Sequence, residues 1–385
     1  GLPRPVAKKA PGPHRGSRCS RLRRAQGGIN RAVVDCMLEA EAMGITVGMY
    51  LDEGAHVDGH SADVESCGEI ERVIITGGAQ GQQYAERMRK AQFAAHAWDD
   101  LVADEEIPLL IVLTNNRDAG RLTLQAVQAG KYVYGEKPGA CSAAQMAAIV
   151  AAAQESGGHF VPCYVRRTYR DTLELRRLLQ AGAIGELWSF HSSWITSSAR
   201  LRGVDSWMFS SELAGGGILY WLGCHWLDLL RFVTGSEVVA VGAMVGSFNP
   251  DIGVEDVACL TLRLEGGAIG TLRAGYLHDP HGGYQPHDLM NAFEGPLGSV
   301  VHFPGRPARL LLRTRAPGFS TAGETQELVV SHSEQGYAPT LLGYVVDAAR
   351  ARTVPPVTEV DAWQVLRIAE AAYQSSRTGR EVKLR

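Results

Sequence analysis

The sequence predicts two joined domains of different class, α/β and then α+β. The first is a doubly wound parallel sheet, and the second carries a large open, mainly antiparallel sheet. Two observations predict this. Up to about residue 160, short apolar runs alternate with helix-forming runs, the rhythm of parallel strands covered by helices. Beyond it, strand-like runs follow one another across turns such as Glu265–Gly266–Gly267–Ala268, which is hairpin chemistry. With 385 residues the chain can bury two cores.

The elements follow in order. "GGINRAVVDCMLEAEAMG" (27–44) predicts a glycine turn and an amphipathic helix. "ITVGMYLD" (45–52) predicts a buried strand ending on an acid, and "ERVIITGG" (71–78) a strand ending in glycines. Between them, 53–70 fits neither and reads as an insertion. Helices are expected at "QQYAERMRKA" (82–91) and "WDDLVADEE" (98–106). "IPLLIVLTNN" (107–116) is a β-rich run, and "GRLTLQAVQAG" (120–130) a helix closed by Gly130. "KYVYGEKPG" (131–139) is a short strand and turn, and "SAAQMAAIVAAAQESG" (142–157) a helix. Strands then recur at 187–196, 237–248, 257–277, 299–303 and 308–314, interrupted by a helix at about 217–233. Two helices, 340–351 and 361–379, close the chain.

Bulk composition narrows the function. The chain is 45% hydrophobic and 21% charged with net charge −3, which suggests no nucleic-acid or membrane partner. No apolar run approaches the ~18 residues that span a bilayer. Seven cysteines lie scattered without CxxC spacing, so reduced thiols in a cytoplasmic protein are expected, without disulfides or zinc. The first 34 residues hold no Asp or Glu. Residues 1–24, with "RGSRCSRLRR", read as a disordered or non-native basic tail, or a transit-type presequence. "HDPHGG" (278–283) lacks helical ligand spacing, and no metal site is expected.

In doubly wound sheets ligands bind at the carboxyl ends of the strands. Thr114, Asn115, Asn116, Glu136 and Lys137 fall at such ends, and Pro138 fixes the turn that carries Lys137. In "AGGGILYWLGCHWLDLL" (214–230) an apolar helix carries His225 and Asp228. Alone, His225 is either a satisfied core histidine or a proton-transfer group.

The pair "YGEKPGA" (134–140) and "AGGGILYWLGCHWLDLL" resembles the Gfo/Idh/MocA family of oxidoreductases. "VPCYVRRTYR" (161–170), "LQAGAIGELWSFHSSW" (179–194), "VEDVACLTLRLEGGAIGTLRAGY" (254–276) and "AEAAYQSSRTGREVKL" (369–384) fit as well, so the resemblance covers about 95–385. It implies a Rossmann-type first domain at 25–140 and a substrate-binding and oligomerisation domain at 141–385. It implies NAD or NADP as cofactor and a polyhydroxy substrate, with assembly as a homodimer or homotetramer. Lys137 and His225 would be catalytic. Arg166, Arg167 and Tyr169 would offer donors to the substrate, and Asp228 would orient His225. The implied reaction moves a hydride between nicotinamide and a secondary alcohol of a sugar, sugar derivative or cyclitol. The alternatives are glycoside cleavage through transient oxidation, or a non-catalytic sugar- and dinucleotide-binding regulator.

Two departures stand out. Trp221 occupies the position of the family's aspartate, one turn before His225, and would offer an aromatic platform to the substrate. The dinucleotide fingerprint, sought in "RAQGGINRA" (24–32), retains only Gly27 of three key glycines, with Ala25 and Asn30 at the others. The run before it, "SRCSRLRR", cannot be a buried strand, so the first strand is expected to be atypical. Cofactor contacts are expected from Gly27, Gly28, Ile29, Asn30, Thr114, Asn115, Asn116, Glu136 and Lys137, with Asp52 as the ribose-binding acid.

Overall fold

The computed structural model describes residues 44–94, 97–278, 287–319, 324–331 and 339–384. Among them, β1 (Ile45–Leu51), β2 (Ile70–Gly77), β3 (Ala91–Phe93), β4 (Leu109–Leu113), β5 (Tyr132–Gly135) and β6 (His159–Pro162) form a parallel sheet. Its order is β3-β2-β1-β4-β5-β6, the Rossmann arrangement. Helices α1 (Val57–Ser66), α2 (Ala79–Arg87), α3 (Trp98–Ala103), α4 (Asn116–Gln128) and α5 (Ala143–Ser156) make the crossovers. Every residue of β4, Leu-Leu-Ile-Val-Leu, is buried, as a central strand covered on both faces requires. The strand order reverses between β1 and β4, which opens a crevice at their carboxyl ends. There Asp52 N donates to Leu113 O at 3.2 Å, holding the two exits side by side.

This topology corrects three expectations. The middle strand is Ile45–Leu51, so the sheet needs no strand upstream of Gly27; residues 1–43 lie outside the described ones. The segment 53–70 is not an insertion but the turn after β1, the crossover helix α1 and the first residue of β2. The sheet also runs on to Pro162, so a division at 140 cuts its last crossover.

The second sheet holds nine strands among the described residues, in the order β14-β13-β12-β11-β7-β10-β9-β8-β15. They are β7 (Ser189–Ser197), β8 (Val238–Gly246), β9 (Val257–Leu264), β10 (Ile269–His278), β11 (Asp288–Gly295), β12 (Gly298–Phe303), β13 (Ala308–Thr314), β14 (Thr325–Val330) and β15 (Val382–Lys383). All neighbours are antiparallel except β7 and β10. The β9–β10 hairpin turns through Gly267 at φ 87°, as the Gly-Gly pair predicts. Burial alternates residue by residue along β9 and β13. One face packs on α6 (Arg170–Gln180), α7 (Cys224–Thr234) and α9 (Glu359–Thr378); α8 (Pro339–Ala351) reaches back to the first sheet.

The glycine run before α7 has a steric reason. A Cβ on Gly217 would strike Glu255 O, one on Gly216 the Tyr373 hydroxyl, and Gly215 takes φ 82° against Cys141. The Glu255 carboxylate then accepts from Gly217 N at 2.7 Å and Leu219 N at 3.0 Å. A π turn, Leu219–Gly223, leads into α7 and sets the direction in which Trp221 and His225 face.

Candidate active site

Lys137 leaves the end of β5 fully buried. Its ammonium donates to Trp221 O at 2.9 Å and lies 3.5 Å from the centre of the Trp221 ring. Glu136 stands behind it: Oε2 is 3.7 Å from the ammonium, and Oε1 accepts from His60 Nε2 at 2.7 Å. Burial alone would raise the Glu136 carboxyl; the Lys137 charge and the His60 hydrogen bond overcome it and hold the group well below the carboxylate range. Glu136 thus anchors the lysine.

His225 faces the crevice from α7 with 8% of its surface exposed. Its ring stacks on Trp194, centroids 5.6 Å apart, and meets Tyr164 edge-on at 6.0 Å. Nδ1 has no hydrogen-bond partner among the described residues. Burial, then the charges of Lys137 and Arg166, push its pKa well below the histidine range. The ring is neutral at physiological pH and carries one open lone pair, as a proton acceptor needs.

Trp221 is buried between the walls. Its ring stacks on His56 at 5.4 Å and meets Trp207 edge-on at 6.0 Å. Arg166 spreads its guanidinium over Trp226 at 4.8 Å, Trp194 at 5.0 Å and Tyr169 at 5.5 Å. With Tyr169, His287 and Arg306 it lines a cavity of about 240 Å³.

The structure separates two expected residues from this group. Arg167 makes a bidentate pair with Asp228 at 2.6 and 3.0 Å and a second with Asp361 at 2.7 and 3.2 Å. Asp228 is therefore committed to Arg167 and does not orient His225. Both sit in an ion network between α7 and α9, apart from the group around Lys137 and His225.

The cofactor residues are also redistributed. Gly27, Gly28, Ile29 and Asn30 lie outside the described residues. Asp52 follows the central strand, not the second, and its carboxylate packs against Gly78. β2 ends on Gly77–Gly78 without an acid. Asn115 is the N-cap of α4, accepting from Asp118 N at 3.0 Å, and Asn116 Nδ2 donates to Ala214 O at 2.8 Å. These side chains build the crevice edge, and Thr114 is buried beneath them.

The turn where a pyrophosphate would sit is Asp52–Glu53–Gly54–Ala55–His56. Leu51, Glu53 and His56 have the spacing of the three fingerprint glycines, and the last two keep left-handed backbone at φ 52° and 54°. α1 begins there without a side-chain cap, so its N–H groups stay available to an anion. That backbone would suit a pyrophosphate, while the negative charges of Asp52 and Glu53 in the same turn would count against one. Glu53 also lines a cavity of about 470 Å³ with Gln80, Asp205 and Trp207, and Trp207 Nε1 donates to Glu53 O at 2.7 Å across the crevice. The sequence signal was present, since an acid-rich turn with one glycine follows an apolar strand. Tyr164 and Trp194 lie in stretches that carry the family resemblance without being singled out as site residues, and His60, Arg202 and His287 had no local signal.

Comparison with known proteins agrees with this fold. Residues 49–163 match the model described as "Oxidoreductase family, NAD-binding Rossmann fold", and 172–288 the "GFO/IDH/MocA C-terminal domain". A levoglucosan dehydrogenase of Pseudarthrobacter phenanthrenivorans is 28% identical over 229 residues, 53% of this chain and 57% of that protein. Inositol 2-dehydrogenase 2 of Saccharopolyspora erythraea is 28% identical over 258 residues, 62% and 73%. The fold is that of a solved levoglucosan dehydrogenase with NADH and levoglucosan, TM-score 0.76 at 19% identity, covering 89% of this chain and 99% of the other. With both family models matched in tandem over more than half its length, and the EKP turn set against the histidine helix, the chain belongs to the Gfo/Idh/MocA oxidoreductase family.

Proposed function

We propose that the chain is an NAD- or NADP-dependent oxidoreductase acting on a secondary alcohol of a sugar, sugar derivative or cyclitol. The observation that carries this is the pairing of a buried ammonium, Lys137, with a buried neutral imidazole, His225, on the two walls of one crevice. Lys137 would polarise the substrate oxygen and stabilise its developing negative charge. His225 would take the hydroxyl proton. Trp221 and Trp194 exclude water, their ring faces taken up by Lys137 and His56 and by His225 and Arg166, so Trp221 is not the open platform for substrate that the sequence suggests. The α1 N-terminus and the residues after β4 would hold the cofactor, whose nicotinamide supplies the hydride-exchanging carbon. The names of relatives, a levoglucosan and an inositol dehydrogenase among them, support the reading. Self-association through the open face of the second sheet belongs to it, supported by Met244, 82% exposed, and Ile269 on that sheet.

The test is turnover. NAD and NADP with a panel of sugars and cyclitols should give reduced nicotinamide, read by absorbance. Lys137→Ala and His225→Asn should each lower kcat by about 10²-fold or more. Full activity in Lys137→Ala would remove the assigned mechanism.

A further inference from the structure

The wall beyond His225 is cationic, and one of its cations has no carboxylate partner among the described residues. His225 stacks on Trp194 of β7. Trp194 Nε1 donates to His287 Nδ1 at 3.3 Å. Thr196, two residues along the same face of β7, bonds that nitrogen at 2.9 Å, and Arg202 Nη2 donates to Thr196 Oγ1 at 2.9 Å. This chain of donors fixes His287 Nδ1 as an acceptor, so its proton sits on Nε2. Arg202 also lies 5.4 Å from the centre of the Tyr276 ring.

Arg202 is partly buried, its Nε has no partner among the described residues, and none of its described hydrogen-bond or ion-pair partners is a carboxylate. Burial lowers its pKa, with only Tyr276 opposing. Its charge reaches His287 on one side and His56 on the other, and lowers the pKa of both along with their burial. His56 in turn stacks on Trp221, the ring that carries Lys137. Arg202 and Arg166 thus both act on His287, and Arg202 and Lys137 both act on His56. Of the described carboxylates near them, Glu136 holds Lys137 and His60, and Asp171, which lines the Arg166 cavity, accepts from His302 at 2.8 Å. A desolvated guanidinium without an anion is costly, and a ligand carboxylate offsets that cost with a charge-assisted, bidentate hydrogen bond.

We propose that the substrate is an acidic polyhydroxy compound, a sugar acid whose carboxylate seats against Arg202 while its reacting carbinol lies between Lys137 and His225. This rests on the reading of the crevice as a polyhydroxy-substrate site and names the class of substrate. Arg202 is a specificity residue in this account, and the proton chemistry stays with Lys137 and His225.

The experiment separates binding from turnover. D-glucuronate against D-glucose, and D-galacturonate against D-galactose, are titrated into the full chain by tryptophan fluorescence, with and without NAD. The same pairs are then assayed for nicotinamide reduction. The acids should bind about tenfold or more tightly than their neutral partners. Arg202→Gln should erase that difference by weakening the acids alone, and Arg202→Lys should keep part of it. Thermal melts of both variants check that the fold is intact. Neutral sugars binding as well as the acids, neither binding, or Arg202→Gln binding the acids unchanged would each overturn the proposal. Acids that bind without any nicotinamide reduction would instead remove the oxidoreductase reading and leave this one standing. Neutral sugars turned over while acids are ignored would do the reverse.

Discussion

Glu53 carries two conflicts at once. Its backbone is left-handed at φ 52°, a region that costs a side-chain-bearing residue about 1 kcal/mol relative to glycine. Its carboxylate also stands at the turn where a pyrophosphate would meet the start of α1. The two effects are separable by substitution. Glu53→Gly should raise stability by about 1 kcal/mol in urea unfolding and tighten NADH binding. Glu53→Gln keeps the backbone cost but removes the charge, so it should tighten binding with little change in stability. Fluorescence titration of NADH checks both. If neither variant binds more tightly, the carboxylate does not face the phosphates. Trp221 is the other residue-scale surprise. Its place in the motif was plain from sequence, but its use was not. Instead of meeting substrate with a carboxylate, this position cradles the Lys137 ammonium with its ring and its carbonyl.

At the scale of elements, α7 and α9 are joined by buried charge. Arg167 bridges Asp228 and Asp361, and Arg231 reaches Asp361 at 3.2 Å and Glu237 at 2.7 Å. Removing one partner leaves the others buried without a counter-charge, which typically costs about 3–5 kcal/mol. Arg167→Met and Asp228→Asn should each destabilise by that order in chemical denaturation while KM for the substrate changes little. A large rise in KM with stability intact would return Arg167 to the substrate wall, where the sequence had put it. The sequence made the elements legible where composition or turn chemistry was distinctive: the apolar run of β4, the alanine-rich α5, the Gly-Gly turn of the β9–β10 hairpin and the last helix all fall where they are predicted. It failed at α1. "VDGHSADVES" has a weak apolar stripe and no side-chain cap, so nothing local marks it as a crossover helix. Once α1 was missed, the strand before it could not be placed at the centre of the sheet. The Arg167 pairing was illegible for a different reason: its partners lie 61 and 194 residues away in the chain.

At the scale of the whole molecule, the crevice makes stability depend on pH. His225 loses its charge in the folded state because burial and two neighbouring cations oppose protonation. Its pKa is depressed on folding, so below the ordinary value of 6.5 the unfolded chain binds a proton that the folded chain does not. By linkage, stability rises with pH in that window and is lost as pH falls below about 6.5, at most about 1.4 kcal/mol per pH unit for one proton. His56 and His287 are lowered too and act with the same sign. Three carboxyls raised by burial act the other way. Asp63, pushed up to about 6 by burial, and Asp228 and Glu255, also raised, take up protons more readily folded than unfolded. The total slope therefore mixes signs, but a difference between variants does not. His225→Asn should lose less stability than the wild type on going from neutral pH to about pH 5, because it deletes one proton of linkage and leaves the carboxyls in place. Urea unfolding at matched ionic strength across that range measures it. Parallel pH profiles for the two chains would mean that His225 titrates alike folded and unfolded. In that case burial and the neighbouring cations would not depress the His225 pKa, and the account of its neutrality given for the proposed proton transfer would fall.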